Sequence, residues 1–393
     1  MFWLGLSVIL TVCVVPGICE LFVLTLAGVL PRRQMEQTLE ECPRLAIVVP
    51  AHDEEQGIVA CLESLHISLG AAMSPVTLVV VADNCSDATA MKALESGARV
   101  LERHDPARRG KGYALDFAFR QLLPEGFDGF IVVDADSRVD GDFIRAFQIS
   151  MAKGYDAVQC RYATLNSETS FRSRLQHVAW LAFNQLRLRG RERLGVSVGL
   201  LGNGFCLSRE TLLTVPYDAA SIAEDLEYHL RLVRAGKCVH WLDETTVYAA
   251  APTQSRASAM QRSRWEGGRF RLIIDQVPVL CREVLRGRLA LLEPLAELLL
   301  LPLAYHVLLL LILLVIPSLL AHTVAILGLL VLIGHIGAAL ILGGGGWREV
   351  VVLLWAPVYI LWKLTLMPQL FRSAKKQATW QRTEREVNHE ERP

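Results

Sequence analysis

The chain is 393 residues long, with 40 Lys and Arg against 40 Asp and Glu, and this zero net charge argues against a dedicated nucleic-acid binder. Hydrophobic residues make up 52%, high for a soluble protein, and the excess sits at the two ends. Nine cysteines show no Cys-x-x-Cys and no zinc spacing, so they read as reduced, mostly buried thiols of a cytosolic domain rather than a disulfide framework.

Residues 2–30 are apolar apart from Glu20 and are followed by Pro31-Arg32-Arg33. Positive charge after the run, not before it, predicts an uncleaved anchor with its N-terminus outside and the following chain in the cytoplasm. From residue 44 to about 248, short β-rich runs alternate with helical ones. Residues 45–49 form a continuous apolar run, as a strand covered on both faces would; helical spacing follows over 58–69. Further strands are expected at 76–81, 100–101 and 130–133, with helices over 88–94 and 113–122. This βαβα series implies a mostly parallel sheet, whose ligands bind beyond the C-terminal strand edges. Asp53, Asp83 and Asp134 each follow a strand directly, so three separated acidic segments are expected on one edge. A short strand over 205–207 comes later.

Residues 270–288 mix apolar and arginine positions, as an amphipathic helix on an inner leaflet would. Residues 295–316 and 319–342 are each long enough to cross a bilayer, and 343–346 form a glycine turn. Residues 350–366 contain Pro357 and Lys363 and precede a basic tail, so an interfacial or re-entrant helix with the tail cytosolic is favoured over a span.

The pair Asp134-Ala135-Asp136 suits a divalent cation that neutralises a diphosphate, although Asp followed by Ser137 would also cap a turn. Asp53 and Asp83 could hydrogen-bond the uracil and ribose of a nucleotide, or cap their loops. Lys111, in Arg108-Arg109-Gly110-Lys111-Gly112, could touch phosphate or belong to a basic loop. Glu224-Asp225 opens an amphipathic helix, where helix-dipole stabilisation is the plain alternative; sugar transfer with inversion needs a carboxylate base, and Asp225 is the chosen one with Glu224 as its neighbour. Gly202-Asn203-Gly204 could border an acceptor or make a simple turn. Gln261, Arg264 and Trp265 share a helical face; they could grip diphosphate and stack on a sugar, or anchor at a membrane interface.

Taken in order, Val49–Glu55, Ala82–Asn84, Asp134–Asp136, Glu224–Asp225 and Gln261–Trp265 resemble the membrane-bound family 2 glycosyltransferases. That group includes poly-N-acetylglucosamine, chitin-oligosaccharide and hyaluronan synthases and ceramide glucosyltransferases. The resemblance implies a nucleotide-diphospho-sugar transferase (GT-A type) domain in the α/β class with N- and C-terminal transmembrane helices. It also implies an inverting mechanism and Mg²⁺ or Mn²⁺. By motif, Pro50, Ala51, His52, Asp53, Glu54, Asp83, Lys111 and Asp134 would bind nucleotide, and Asp136 with Asp134 would bind metal. Asp225 would be the base beside Glu224, and Asn203, Gln261, Arg264 and Trp265 would meet acceptor and diphosphate. Trp380-Gln381-Arg382-Thr383 is similar to a basic-aromatic tail of some bacterial members.

The expected organisation is an anchor over 1–31, a cytosolic transferase domain over 44–268, and an interfacial helix over 269–288. Membrane helices over 289–370 and a basic tail over 371–393 complete it. The expected protein is integral to a bacterial cytoplasmic membrane, with its catalytic domain facing inward. It would take a UDP-sugar donor and move a hexose or N-acetylhexosamine to a growing exopolysaccharide or a membrane lipid. Few helices are available to line a polysaccharide channel, so self-association or an accessory subunit could supply the rest, and single transfer to a lipid is the nearest rival. A sugar-phosphate nucleotidyltransferase is disfavoured because Pro50–Glu54 is acidic where a triphosphate would need basic groups. In a non-catalytic membrane scaffold, the third possibility, the acidic set would only cap loops.

Overall fold

The computed structural model describes residues 2–31, 42–219, 221–252 and 255–365. They divide into one unit built from 42–166 and 197–265, and another built from 2–31, 167–196 and 266–365.

In the first unit the strands run Leu45–Ala51 (β1), Val76–Asp83 (β2), Arg99–Arg103 (β3), Gly129–Val132 (β4), Ser137–Val139 (β5), Ala157–Thr164 (β6), Phe205–Ser208 (β7) and Val239–Ala249 (β8). They make one sheet in the order β3-β2-β1-β4-β7-β6-β8-β5. The first four in that order are parallel, and β7 then joins β4 antiparallel. The apolar run expected at 45–49 is therefore a central strand, and it is buried along nearly its whole length. Helix Ile58–Leu69 turns Ile58, Cys61, Leu62 and Leu65 onto the sheet, where they pack with Ile47, Val49, Val80, Ile131 and Phe143. Each such aliphatic side chain taken from water contributes roughly 1.5–3 kcal/mol before chain entropy is charged against it.

Helices Thr89–Glu95 and Lys111–Leu122 lie where 88–94 and 113–122 were expected, the second starting earlier, at Lys111. Strands β5, β6 and β8 have no counterpart in the sequence-based expectation. Polar and charged residues interrupt β6 and β8, among them Gln159, Arg161, Asp243 and Glu244, so neither shows an unbroken apolar run. The sheet is thus parallel at one end and mixed at the other.

In the second unit, helices Phe2–Val29 and Leu319–Leu342 are long and apolar enough to cross a membrane. The single span expected over 295–316 is instead two helical pieces, Leu289–Leu299 and Leu303–Val315, bent by 75°. Pro302 explains the break: it has no N–H to donate and drives the residue before it out of the helical region. The carbonyls freed there are not abandoned, since the Arg269 guanidinium donates to the Leu300 carbonyl at 3.0 Å and also to that of Glu297.

Residues 167–196 fall inside the expected 44–268 domain but fold with the terminal helices, as Phe171–Trp180, a π-helical turn Leu181–Leu186 and Arg187–Leu194. Helix Ser255–Leu285 runs without interruption through the boundary expected at 268/269. Beyond the turn at 343–346, the segment expected at 350–366 is broken into Trp347–Val352, a 3-10 turn Leu353–Trp355 and Ala356–Leu364. The expected tail and its Trp380–Thr383 motif lie outside the described residues.

The one acidic residue of the first helix has partners. Glu20 accepts hydrogen bonds from Arg187 at 2.8 Å and Arg191 at 3.1 Å. Glu297 pairs with Arg187, Arg191 and Arg269, and Glu293 with Arg191. Three arginines and three glutamates from four helices thereby cancel within an otherwise apolar bundle, which is how charges survive burial.

Candidate active site

The C-terminal ends of β1, β2 and β4 lie on one edge of the sheet, as parallel pairing requires. At the end of β2, Asp83 is buried and paired with Arg103 of β3, its register neighbour, at 2.5 Å. The Asn84 amide donates to the same carboxylate oxygen at 2.9 Å. His52 meets the Asp83 carbonyl through Nδ1 at 2.7 Å, and Asp53 accepts the Ser86 backbone N–H at 2.7 Å. Asp53 and Asn84 both hold positive φ, 54° and 52°, a region that Asp and Asn tolerate better than other side chains. His52, Asp83, Asn84 and Arg103 are thus joined by hydrogen bonds into one floor, with Asp53 next to His52 in the chain.

Among the described residues, one group of three metal-competent side chains, Asp53, Cys85 and Asp87, lies within 4.8 Å. Their carboxylates accept the backbone N–H groups of Ser86 and Thr89, which accounts for them as turn-forming groups.

Asp134 and Asp136 stand on the turn after β4. Lys111 forms an ion pair with Asp134 and donates to the Gly202 carbonyl, so the structure sets it against the carboxylates instead of leaving it in a basic loop. Burial opposes its charge, yet Asp134, Glu224 and Asp225 together raise its pKa above the ordinary lysine value. Two glycines permit this closeness. A Cβ on Gly112 would lie 1.9 Å from the Ala219 carbonyl oxygen, and one on Gly202, whose φ is +77°, would lie 3.1 Å from Asp225 Oδ2.

Helix Glu224–Arg234 opens with the two acidic residues, and Asp225 accepts the Leu226 N–H at 2.8 Å. Its start is held by aromatic packing of Tyr228 on Tyr217, with Tyr228 donating to the Val215 carbonyl at 2.6 Å. Burial first, then the neighbouring Asp225 charge, pushes Glu224 up to about 7; burial also raises Asp225. The arrangement is a carboxylate pair with raised proton affinity beside a third carboxylate and a compensating ammonium. Oxygen-only donors at Asp134 and Asp136 fit a hard divalent cation.

Asn203, expected to border the acceptor, is 1% exposed, accepts the Asp134 N–H at 3.0 Å and donates to Ser137 Oγ at 2.8 Å. Gln261, Arg264 and Trp265 lie on helix Ser255–Leu285 at the spacing that gives them one face, with Trp265 36% exposed. Sequence reasoning missed Arg103 and Gln159, whose roles depend on strand pairing. Arg103 lies two residues past the strand expected at 100–101, inside the observed strand Arg99–Arg103.

Residues 129–342 match the family model described as Glycosyl transferase family group 2, and the chain belongs to this family. The family match and the α/β fold speak against the nucleotidyltransferase reading. Over 241 residues, 59% of this chain and 56% of the relative, it is 22% identical to "Probable glycosyltransferase YdaM" of Bacillus subtilis (strain 168). It is 33% identical over 126 residues, 32% of this chain and 29% of the relative, to "Low-salt glycan biosynthesis hexosyltransferase Agl6" of Haloferax volcanii. The chain thus spans about half of one relative's length and under a third of the other's. Among solved structures, the mannosyltransferase PcManGT from Pyrobaculum calidifontis, in complex with GDP-Man and Mn²⁺, superposes with a TM-score of 0.57. Identity is 15%, covering 94% of this chain and 97% of that one, so the likeness is one of fold, of the GT-A type.

Proposed function

We propose that the chain is an inverting, metal-dependent transferase that moves a hexose or N-acetylhexosamine from a nucleoside-diphospho-sugar, a UDP-sugar in the first instance. The acceptor is a growing exopolysaccharide or a membrane lipid. The observation that carries this is the meeting of Lys111, Asp134, Glu224 and Asp225 beyond the parallel strand ends.

The Asp53–Asp83 floor receives the nucleoside. Asp136, with Asp134 beside it, would hold Mg²⁺ or Mn²⁺, which supplies positive charge for the departing diphosphate. Asp225 takes the proton of the acceptor hydroxyl as that oxygen bonds to the anomeric carbon. The bond from that carbon to the diphosphate oxygen breaks on the opposite face, and the nucleoside diphosphate leaves. Burial keeps the proton affinity of both carboxylates high, with the Asp225 charge adding to Glu224 and the Asp134 charge to Asp225, and Lys111 limits that rise. Gln261, Arg264 and Trp265 serve the diphosphate and acceptor. Helices Phe2–Val29 and Leu319–Leu342 favour a membrane setting, and the arginines after the first of them favour a cytoplasmic catalytic unit.

The test is nucleotide release by purified protein across UDP-glucose, UDP-galactose, UDP-N-acetylglucosamine, UDP-glucuronate and GDP-mannose, each with Mg²⁺, Mn²⁺ or EDTA. One donor turned over only with metal, giving a product of inverted anomeric configuration, is the expected result. Release from none, or a product that retains configuration, would overturn the proposal. Product length separates the acceptors: one added sugar on a lipid extract means single transfer, a ladder means polymerisation.

A further inference from the structure

Lys111, Asp134, Glu224 and Asp225 carry charge at the sheet edge; Asn203, whose side chain touches the Asp134–Ser137 turn, does not. Asn203 Oδ1 faces the Asp134 N–H, which can only donate, so the amide orientation follows and Nδ2 must be the group at Ser137 Oγ. One neutral side chain therefore holds the first and last residues of the turn, which also closes on itself through the Ser137 N–H to the Asp134 carbonyl at 3.0 Å.

Asn203 is itself held. Gln159, fully buried on β6, donates through Nε2 to the Asn203 carbonyl at 2.8 Å and the Gly204 carbonyl at 3.1 Å. Its Oε1 accepts the Leu201 N–H at 2.9 Å. Gly204 N–H then donates to the Val132 carbonyl, the last residue of β4, at 3.0 Å. The result is a closed loop of hydrogen bonds from β4, through the turn, to Asn203, Gln159 and back. An amide can accept from Asp134 and donate to Ser137 at once without adding charge beside the carboxylates.

We infer that Asn203, braced by Gln159, is the positioning residue that fixes the Asp134–Asp136 turn for a divalent cation, touching neither cation nor sugar. A carboxylate site needs such outer hydrogen bonds to keep its oxygens aimed, and losing one weakens metal affinity by about 10–100-fold in typical cases. The inference rests on the metal-dependent function proposed above and assigns Asn203 a task different from acceptor contact.

The experiment titrates Mn²⁺ into purified full-length protein, with UDP or GDP present, and follows free Mn²⁺ by electron paramagnetic resonance. Asn203→Ala is expected to raise the Mn²⁺ dissociation constant by roughly 10-fold or more. Ser137→Ala, which removes one end of the tie, raises it less. At saturating Mn²⁺ the Asn203→Ala enzyme regains most of its turnover with an unchanged donor KM, whereas a residue that merely supports the fold would lower the melting temperature and leave the metal constant alone. A folded Asn203→Ala protein with the wild-type Mn²⁺ constant overturns the inference; should that variant not fold, an unchanged constant in Ser137→Ala does the same. Wild-type protein that takes up no Mn²⁺ with either nucleotide overturns the metal-dependent function itself, and the assigned task of Asn203 falls with it.

Discussion

Substituting Glu20 by leucine removes one of three glutamates that balance three arginines and leaves the cluster with one uncompensated positive charge. The side chains of Arg187 and Arg191 are 5% and 4% exposed, so water cannot take over Glu20's place without opening the bundle. A charge pair at 2.8 Å is attractive by about 6 kcal/mol at an effective dielectric constant near 20. Part of that is offset because the buried carboxylate no longer needs to be desolvated, which brings the expected loss to about 3–5 kcal/mol. At roughly 2–4 °C per kcal/mol for a unit of this size, the melting temperature in detergent falls by on the order of 10 °C. Glu20→Leu combined with Arg187→Leu recovers part of the loss, because the second change removes the stranded charge. A Glu20→Leu protein melting within about 2 °C of wild type, or a double variant worse than the two single losses added, would refute the reasoning.

At the other unit, Asp225→Asn should lower kcat by about 10²–10⁴-fold while donor binding, measured by calorimetry, changes little. The pH profile of kcat/KM should show an acid limb above the ordinary carboxylate range. Burial raises Asp225, the base works only when deprotonated, and activity is therefore lost as pH falls through the raised value. Lys111→Met should move that limb to still higher pH, since the ammonium lowers the proton affinity of both Glu224 and Asp225; a limb displaced downward would contradict the assignment. Asp136→Ala should leave a protein whose residual turnover no longer responds to EDTA. Arg103→Ala strands the buried Asp83 carboxylate, costing about 3 kcal/mol and weakening nucleotide binding, as equilibrium dialysis with UDP would report.

The parallel half of the sheet was legible because its strands are continuous apolar runs and its helices repeat with the helical period. Asp53, Asp83 and Asp134 were legible for the same reason: each directly follows such a run. The mixed half was not, because β6 and β8 carry polar residues and their partners are remote in sequence, as Ala157 with Val239 shows. Nor could spacing reveal that residues 167–196 leave one unit for the other; Arg187 and Arg191 look like surface charges until Glu20 and Glu297 are placed beside them. Lys111 was recognised by its glycine neighbours but not by its partner, since an Asp134 contact depends on how two strand-end loops meet. Asn203 was found for its Gly-Asn-Gly setting, but a turn-forming sequence does not say that its side chain is buried and bonded to Asp134 and Ser137.

That excursion also sets a schedule for biogenesis. Glu20 and Arg187 are 167 residues apart in the chain. At about 5–20 residues per second, a ribosome needs roughly 10–30 s to deliver the arginine after the glutamate has emerged. Throughout that interval the first helix carries a carboxylate without the arginine partners that it has in the folded chain. Assembly of this bundle is governed by waiting, not by the order in which its helices are written.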